Sequence, residues 1–435
     1  MIGRADPTRD RAYPNRRRRP GRLRAVGLAG LIAGAPTAVV VVAPTAAGAS
    51  QWSATRTATS AGNSFEPVAT VGGGNRLAIG WVRQLGGQNR TEIREGTPAG
   101  GLRSAALVLD SSAHLVDSPA LAFLDHRGTL AVAWRRYLDG NHRIRGSIVS
   151  PSLTAGPTAG LSGGGESAYS PTFIHSPASF ETVALGWSRR TISQLANVTT
   201  AGFASPAILP GAPIFGRVAA YDGAGTQVAV STNGAEILDS ERPAGAAAFA
   251  PAKPIAAAPN AEQLTSASTP SGSVVAVWSQ DGTLMASVRP AGGVFPAPVA
   301  IAPAGEDPRD ITVTANSANE ILVAYLPSVG GAPTGALRIL RLGPGGAPVG
   351  APITLASASV RSAPTLATDT SAAFVGWSSG GVVHVVRISP GGIVGTVRSL
   401  AGRIVGGAPT LAGMPSFGAV ATWASNGRIV YSVYR

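Results

Sequence analysis

The chain predicts an all-β fold: a β-propeller of eight blades, with seven as the alternative, closed by the N-terminal strand joining the last blade. Three observations predict it. An aromatic-ended strand recurs at a near-constant interval, prolines lead the strand before it, and glycine-containing pairs turn the chain after it. The aromatic segments are LAIGW ending at Trp81, LAVAW at Trp134, VALGW at Trp187, VVAVW at Trp278, ILVAY at Tyr325, AFVGW at Trp377 and AVATW at Trp423, and QVAVS ending at Ser231 fills the one double-length gap without its aromatic. The successive spacings are 53, 53, 44, 47, 47, 52 and 46 residues. A period of about 40 to 50 residues built from short strands marks propeller blades.

The second unit illustrates the elements in order. Ser118 to Phe123 starts a strand, Asp125-His126-Arg127-Gly128 turns, Leu130 to Trp134 returns, and Arg143 to Val149 forms a third strand before a Gly/Pro-rich outer segment. This matches a blade of three or four antiparallel strands. Leu130, Val132 and Trp134 share one face, Ala131 and Ala133 the other, so stacked blades set a bulky face against a small one. Pro67, Pro119, Pro171, Pro364 and Pro409 begin the preceding strand, where an edge facing the channel tolerates a residue with no N–H to donate. Asn233-Gly234, Asp281-Gly282, Gly380-Gly381 and Asn426-Gly427 favour two-residue hairpins. The last unit stops after a third strand, Arg428 to Tyr434, and an orphan strand, Gln51 to Thr57, is available to complete it.

Composition agrees with a turn-rich β chain: 44 % hydrophobic and 13 % charged residues, with 56 glycines and 34 prolines. The absence of cysteine excludes a disulfide framework, thiolate metal sites and a cysteine nucleophile. Residues 1–49 read as a secretory signal segment: a basic block at Arg16 to Arg19, Arg22 and Arg24, an apolar run from Ala25 to Ala43, and Ala47-Gly48-Ala49 as the small residues before a cut after Ala49. The alternative is membrane anchoring by residues 25–43. The hydrophobic residues that should follow a twin-arginine pair are missing at Arg19-Pro20-Gly21, so the general secretory route is expected. Residues 50–435 are then the propeller domain, secreted and monomeric. Removing nine arginines and two aspartates from 35 basic and 22 acidic residues leaves 26 and 20, a net charge of +6 instead of +13. No basic patch with interleaved aromatics remains, and nucleic acid is not expected as a partner.

Proline-led strand, turn, aromatic-ended strand and DG or NG hairpin, behind a signal segment, resemble the secreted bacterial β-propeller repeat proteins grouped with sialidase-like and WD40-like propellers. The resemblance covers residues 50–435 and implies the fold. The Ser-x-Asp-x-Gly-x-x-Trp box of sialidase-like repeats and the Gly-His and Trp-Asp pairs of WD40 repeats are absent, so no catalytic mechanism carries over.

In a propeller, the loops leading into the inner strands and those leaving the second strands meet around one mouth of the channel, which makes that face the expected binding site. Glu66, Asp117, Tyr169, Arg217, Asp310 and Arg361 lead into inner strands; Arg83, Arg135, Arg136, Arg189 and Arg190 follow aromatic strands. From these, Arg83, Arg136 and Arg190 with Glu66, Asp117 and Tyr169 form the candidate site. Arginine forks hold carboxylates, which points to an anionic glycan or an extracellular protein. The alternative is that these are solvated charges that keep the rim soluble. The five histidines, His114, His126, His142, His175 and His384, lack ligand spacing, and Glu306-Asp307-Pro308-Arg309-Asp310 lacks the oxygen spacing of a calcium loop, so neither metal nor cofactor is expected. Gly160-Leu161-Ser162-Gly163-Gly164 matches a nucleophile-elbow string without the strand and helix that it needs. The expected function is a non-enzymatic binding module for a glycan, cell-wall component or protein partner. The alternative is a glycan-active hydrolase or lyase of sialidase-like type, which would need paired carboxylates, or carboxylates with a tyrosine nucleophile.

Overall fold

A computed structural model describes residues 51–435 except Ala61, Ser104, Gly164, Ala178, Phe180, Thr191, residues 211–217, Gly330, Gly331, Ala358, Arg361, Val405, Gly406 and Phe417. The expected signal segment with its cut after Ala49, the alternative anchor over residues 25–43, and the candidates Arg217 and Arg361 lie outside the described residues. Eight antiparallel sheets of four or five strands make an eight-bladed β-propeller, with two single 3-10 turns as the helical content among the described residues. The unit ending at Ser231 is a full blade, so eight is the count and seven is set aside.

The inner strands of blades 1 to 8 are Asn63–Gly72, Val116–Phe123, Ala168–His175, Val218–Tyr221, Ala261–Ser268, Arg309–Ala315, Thr365–Thr368 and Thr410–Gly413; each neighbours the next, and the eighth returns to the first. The aromatic-ended strands lie second in each sheet, from Arg76–Leu85 in blade 1 to Ala419–Ser425 in blade 8. Their bulky faces turn to the preceding blade. Leu77, Ile79 and Trp81 pack with Val420, Ile429 and Tyr431 of blade 8, and Trp187 packs with Ala131 and Ala133 of blade 2. The small faces receive the next blade: Ala78 lies with Leu121, Val132 and Trp134. All six repeat tryptophans and Tyr325 are at most 2 % exposed, which makes them blade packing and not a carbohydrate platform.

The hairpins after these strands are largely as expected. Asp281-Gly282, Gly380-Gly381 and Asn426-Gly427 each place two residues at positive φ, the two-residue turn that matches strand twist. Asn233-Gly234 differs. There Asn233 Oδ1 accepts the N–H groups of Ala235 and Glu236, so a side-chain-capped, longer turn replaces it.

Closure joins the two ends of the propeller. Arg56–Thr57 pairs antiparallel with Arg428–Tyr434, with Arg56 opposite Tyr431 and Thr57 opposite Val430, and Trp52 bridges Tyr434. The main chain adds Gln51 N–H to Arg435 O at 2.9 Å, Ser53 N–H to Val433 O at 2.8 Å and Ala58 N–H to Ile429 O at 2.8 Å. Between blades 8 and 1, Thr410 Oγ1 donates to Pro67 O at 2.8 Å, and Ser64 N–H donates to Gly427 O at 2.9 Å. Gly427 is required twice over: its φ is +70°, and a Cβ there would sit 2.7 Å from Gly62 O.

Candidate functional site

A repeated backbone irregularity builds the rim. The inner strands of blades 1, 2, 3, 5 and 6 each carry a bulge, and at its centre Glu66, Ser118, Ser170, Gln263 and Asp310 hold φ between +51° and +56°. The prolines of blades 1 to 3 follow these residues directly, so those strands extend upstream of the proline instead of starting at it. Non-glycine residues rarely adopt this conformation, and bulges re-aim side chains. Here they link neighbouring blades: Glu66 Oε2 accepts Ser118 N–H at 2.6 Å, and Gln263 Oε1 accepts Asp310 N–H at 3.2 Å.

At blades 1 to 3 the rim gathers charge. Asp117, 4 % exposed, takes both nitrogens of the Arg135 fork, Nε and Nη2. The Arg135 guanidinium carbon lies 5.4 Å from the centre of the Tyr169 ring. Its pKa is pushed above the ordinary arginine range, first by the hydrogen bonds to Asp117 and further by Asp117, Glu66 and Tyr169 charge, against desolvation. Glu66 as a residue is exposed, yet its carboxylate end is crowded. Desolvation raises its pKa and repulsion from Asp117 adds to this, opposed by the Ser118 N–H and Arg135. Asp310 on blade 6 is raised by desolvation as well, opposed by Arg309.

The structure therefore brings together Glu66, Asp117 and Tyr169, but around Arg135. Arg83 and Arg136 turn to the other face of their strands. Arg136 Nη1 pairs with Asp110 Oδ1 at 2.6 Å while Trp134 Nε1 donates to Asp110 Oδ2 at 2.8 Å. Arg83 Nη1 lies 3.8 Å from Glu92 Oε2, which also accepts Trp81 Nε1 at 3.1 Å. Strand parity is the cause: the residue two after the tryptophan shares its face, the residue one after takes the opposite face. That parity is the signal in the sequence that separates Arg135 from Arg136. Arg190 is exposed at the end of the second strand of blade 3. Sequence reasoning also missed a run of rings beside the site: His114–Tyr137, Tyr137–His142 and His142–Tyr169 centres are 6.0, 5.3 and 5.6 Å apart.

Other motifs are taken up by the fold. Glu306 accepts Tyr325 OH at 2.8 Å and pairs with Arg338, and Asp307 Oδ2 takes Arg309 Nη2 and Ser328 Oγ, both at 3.0 Å. Ser162 Oγ accepts Ile144 N–H at 2.9 Å, in an irregular segment. Among the described residues, no group of three or more His, Asp or Glu is placed to hold a metal ion. A cavity of about 780 Å³ in the channel is lined by the inner strands of blades 1, 2, 3, 6, 7 and 8 with Pro270 of blade 5, and an adjoining one of about 650 Å³, which shares part of that lining, lies towards blades 3 to 5. The channel lining is mainly Ala, Thr, Pro and Ser, with His175 and Asp369 as its titratable groups. Asp369 is occupied by backbone N–H groups of Ser371, Ala372 and Gly418 at 2.6 Å each. The charged cluster of blades 1 to 3 lies on the rim, and the channel wall is mainly uncharged.

No family model matches the sequence, and no curated protein matches it. Solved structures do share the architecture. The Dos1 propeller superposes with a TM-score of 0.55 at 10 % identity, covering 88 % of this chain and 95 % of that one. A structure from an analysis of two prolyl endopeptidases gives 0.51 at 12 % identity, covering 79 % and 51 %. Prolyl oligopeptidase B from Galerina marginata gives 0.50 at 11 %, covering 78 % and 51 %. The chain spans about half the length of these peptidases. At such identities the likeness shows the propeller fold alone.

Proposed function

We propose that the protein is an exported propeller that binds a glycan on the rim of blades 1 to 3, without catalysis of its own. The observation that carries this is the convergence of Glu66, Asp117, Arg135 and Tyr169 from three blades at one mouth of the channel. Arg135 is matched by Asp117, and Arg83 and Arg136 by Glu92 and Asp110, so the rim offers hydrogen-bond donors and acceptors with little net positive charge. Such a surface suits hydroxyl groups better than carboxylates, which favours a neutral glycan. A second reading, glycan hydrolysis, is supported by the position of Glu66, whose pKa is raised by desolvation and by Asp117, next to the ion-paired carboxylate of Asp117.

A glycan array followed by calorimetry tests both. Neutral glycans should bind, and Glu66→Gln and Arg135→Ala should each weaken them by about tenfold to a hundredfold, as expected for a lost charge-assisted contact. Stronger binding of acidic glycans would assign the ligand to exposed arginines such as Arg190, and release of shortened glycan, abolished in Glu66→Gln, would establish the hydrolase. Export rests on the tripartite N-terminus. N-terminal sequencing of protein from culture medium should begin at Ser50, whereas recovery of intact residues 25–43 in membranes would mean an anchor.

A further inference from the structure

We infer that the rings of His114, Tyr137, His142 and Tyr169 form a ladder along which an extended neutral oligosaccharide lies, a subsite that rests on the reading of the rim as a glycan site. The ladder starts at Tyr169 in the inner strand of blade 3 and crosses His142 and Tyr137 in the third and second strands of blade 2. It ends at His114, in the segment linking blades 1 and 2. Parity places Tyr137 on the same strand face as Arg135, towards blade 3, so charged group and rings belong to one surface.

Three properties fit a sugar chain. The ring centres stand 6.0, 5.3 and 5.6 Å apart, close to the length of one pyranose unit in an extended β-linked chain, and their planes meet at 57°, 68° and 46°, so the row offers a sugar chain ring edges and ring faces in turn. The rings are outside the packed core: His114 is exposed, and Tyr137, His142 and Tyr169 are half-buried, in contrast to the repeat tryptophans. Leu115 and Leu138, 39 % and 36 % exposed, add apolar surface at the far end. A partly exposed ring with a polar edge contacts the C–H groups of a sugar while donating or accepting at its margin. The polar end at Glu66, Asp117 and Arg135 then orients the terminal residue, and the ladder adds affinity with length.

Calorimetry on the full chain, with β-1,4-linked glucose and N-acetylglucosamine di- and tetrasaccharides as probes, tests the ladder. One series should show the tetrasaccharide binding about tenfold or more tighter than the disaccharide. Tyr137→Ala, which lies beyond a disaccharide seated at Tyr169 and His142, should erase that gain while leaving disaccharide affinity unchanged, and Tyr137→Phe, which keeps the ring, should retain it. Unchanged disaccharide affinity also certifies that the variants fold. Equal affinity for both lengths, or a length preference that survives Tyr137→Ala, overturns the ladder and leaves the rim site standing. If neither length binds, the glycan reading itself falls, and the ladder with it.

Discussion

Removing residues 51–60 is expected to lower the stability of the propeller by about 4 kcal/mol. The deleted segment supplies three main-chain hydrogen bonds to blade 8 at 2.8 to 2.9 Å, besides the Arg56–Thr57 ladder. Each contributes about 1 kcal/mol net. Thr59 Oγ1 accepts Ile429 N–H at 2.9 Å, and Trp52 sets its ring edge-on to Phe374 and Tyr434, centres 6.2 and 5.6 Å away. Losing the segment uncovers an edge strand, Arg428–Tyr434, whose unpaired groups invite aggregation. Differential scanning calorimetry of the truncated and full propellers measures the change. Coincident melting would mean that blade 8 is complete with three strands and that the N-terminal strand is ornamental.

The second large effect is on the pH dependence of stability, through Glu95. This residue lies in the third strand of blade 1, Gln88–Thr97, on the face shared with Ile93, which packs against blade 2. Its side chain is 2 % exposed, and neither carboxylate oxygen has a hydrogen-bond partner among the described residues. Arg76 Nη1, 3.7 Å away, is its ion-pair partner. Desolvation outweighs the attraction of Arg76 and Arg103 and lifts the pKa from 4.5 to about 7. The folded state therefore holds a proton that the unfolded chain has already released. The contribution of Glu95 to stability is fully present below about pH 4.5, is lost as the pH rises towards 7, and levels off above it, with a total loss of about 3 kcal/mol. Glu95→Gln should match the parent at pH 4.5 and exceed it by about 2 to 3 kcal/mol at pH 8, measured by denaturant unfolding. A variant that keeps the parent's slope between pH 5 and 7 would place the proton elsewhere.

How far the sequence discloses this molecule depends on what a pattern can encode. The blades are legible because each repeat writes its burial into alternation: Leu77, Ile79 and Trp81 against Ala78 and Gly80 state which face is thick, and the spacing states how many times. Even the degenerate fourth unit keeps its alternation in Gln227–Thr232, which is why a missing aromatic did not remove a blade. The site is half legible. Residue type and place in the repeat bring out Glu66, Asp117 and Tyr169, and strand parity, applied to Arg135-Arg136, chooses the arginine that joins them. The reach of Glu66 to Ser118 depends on a bulge at φ +51° in two successive blades, and no residue pattern short of the backbone path encodes that. Glu95 is hidden for a related reason: its isolation follows from which groups fail to reach it across the gap between blades.

The seam has a kinetic meaning. It joins Thr57 to Val430, 373 residues apart, and so it is made from nearly the first and nearly the last part of the propeller to leave the ribosome. The entropy of closing so long a loop exceeds that of a 10-residue loop by only about 3 kcal/mol, so distance along the chain is no bar to the final state. The ring cannot close before Arg428–Tyr434 is present, since that strand carries the partners of Arg56 and Thr57. Until that strand arrives the chain is an unclosed stack with two raw edges.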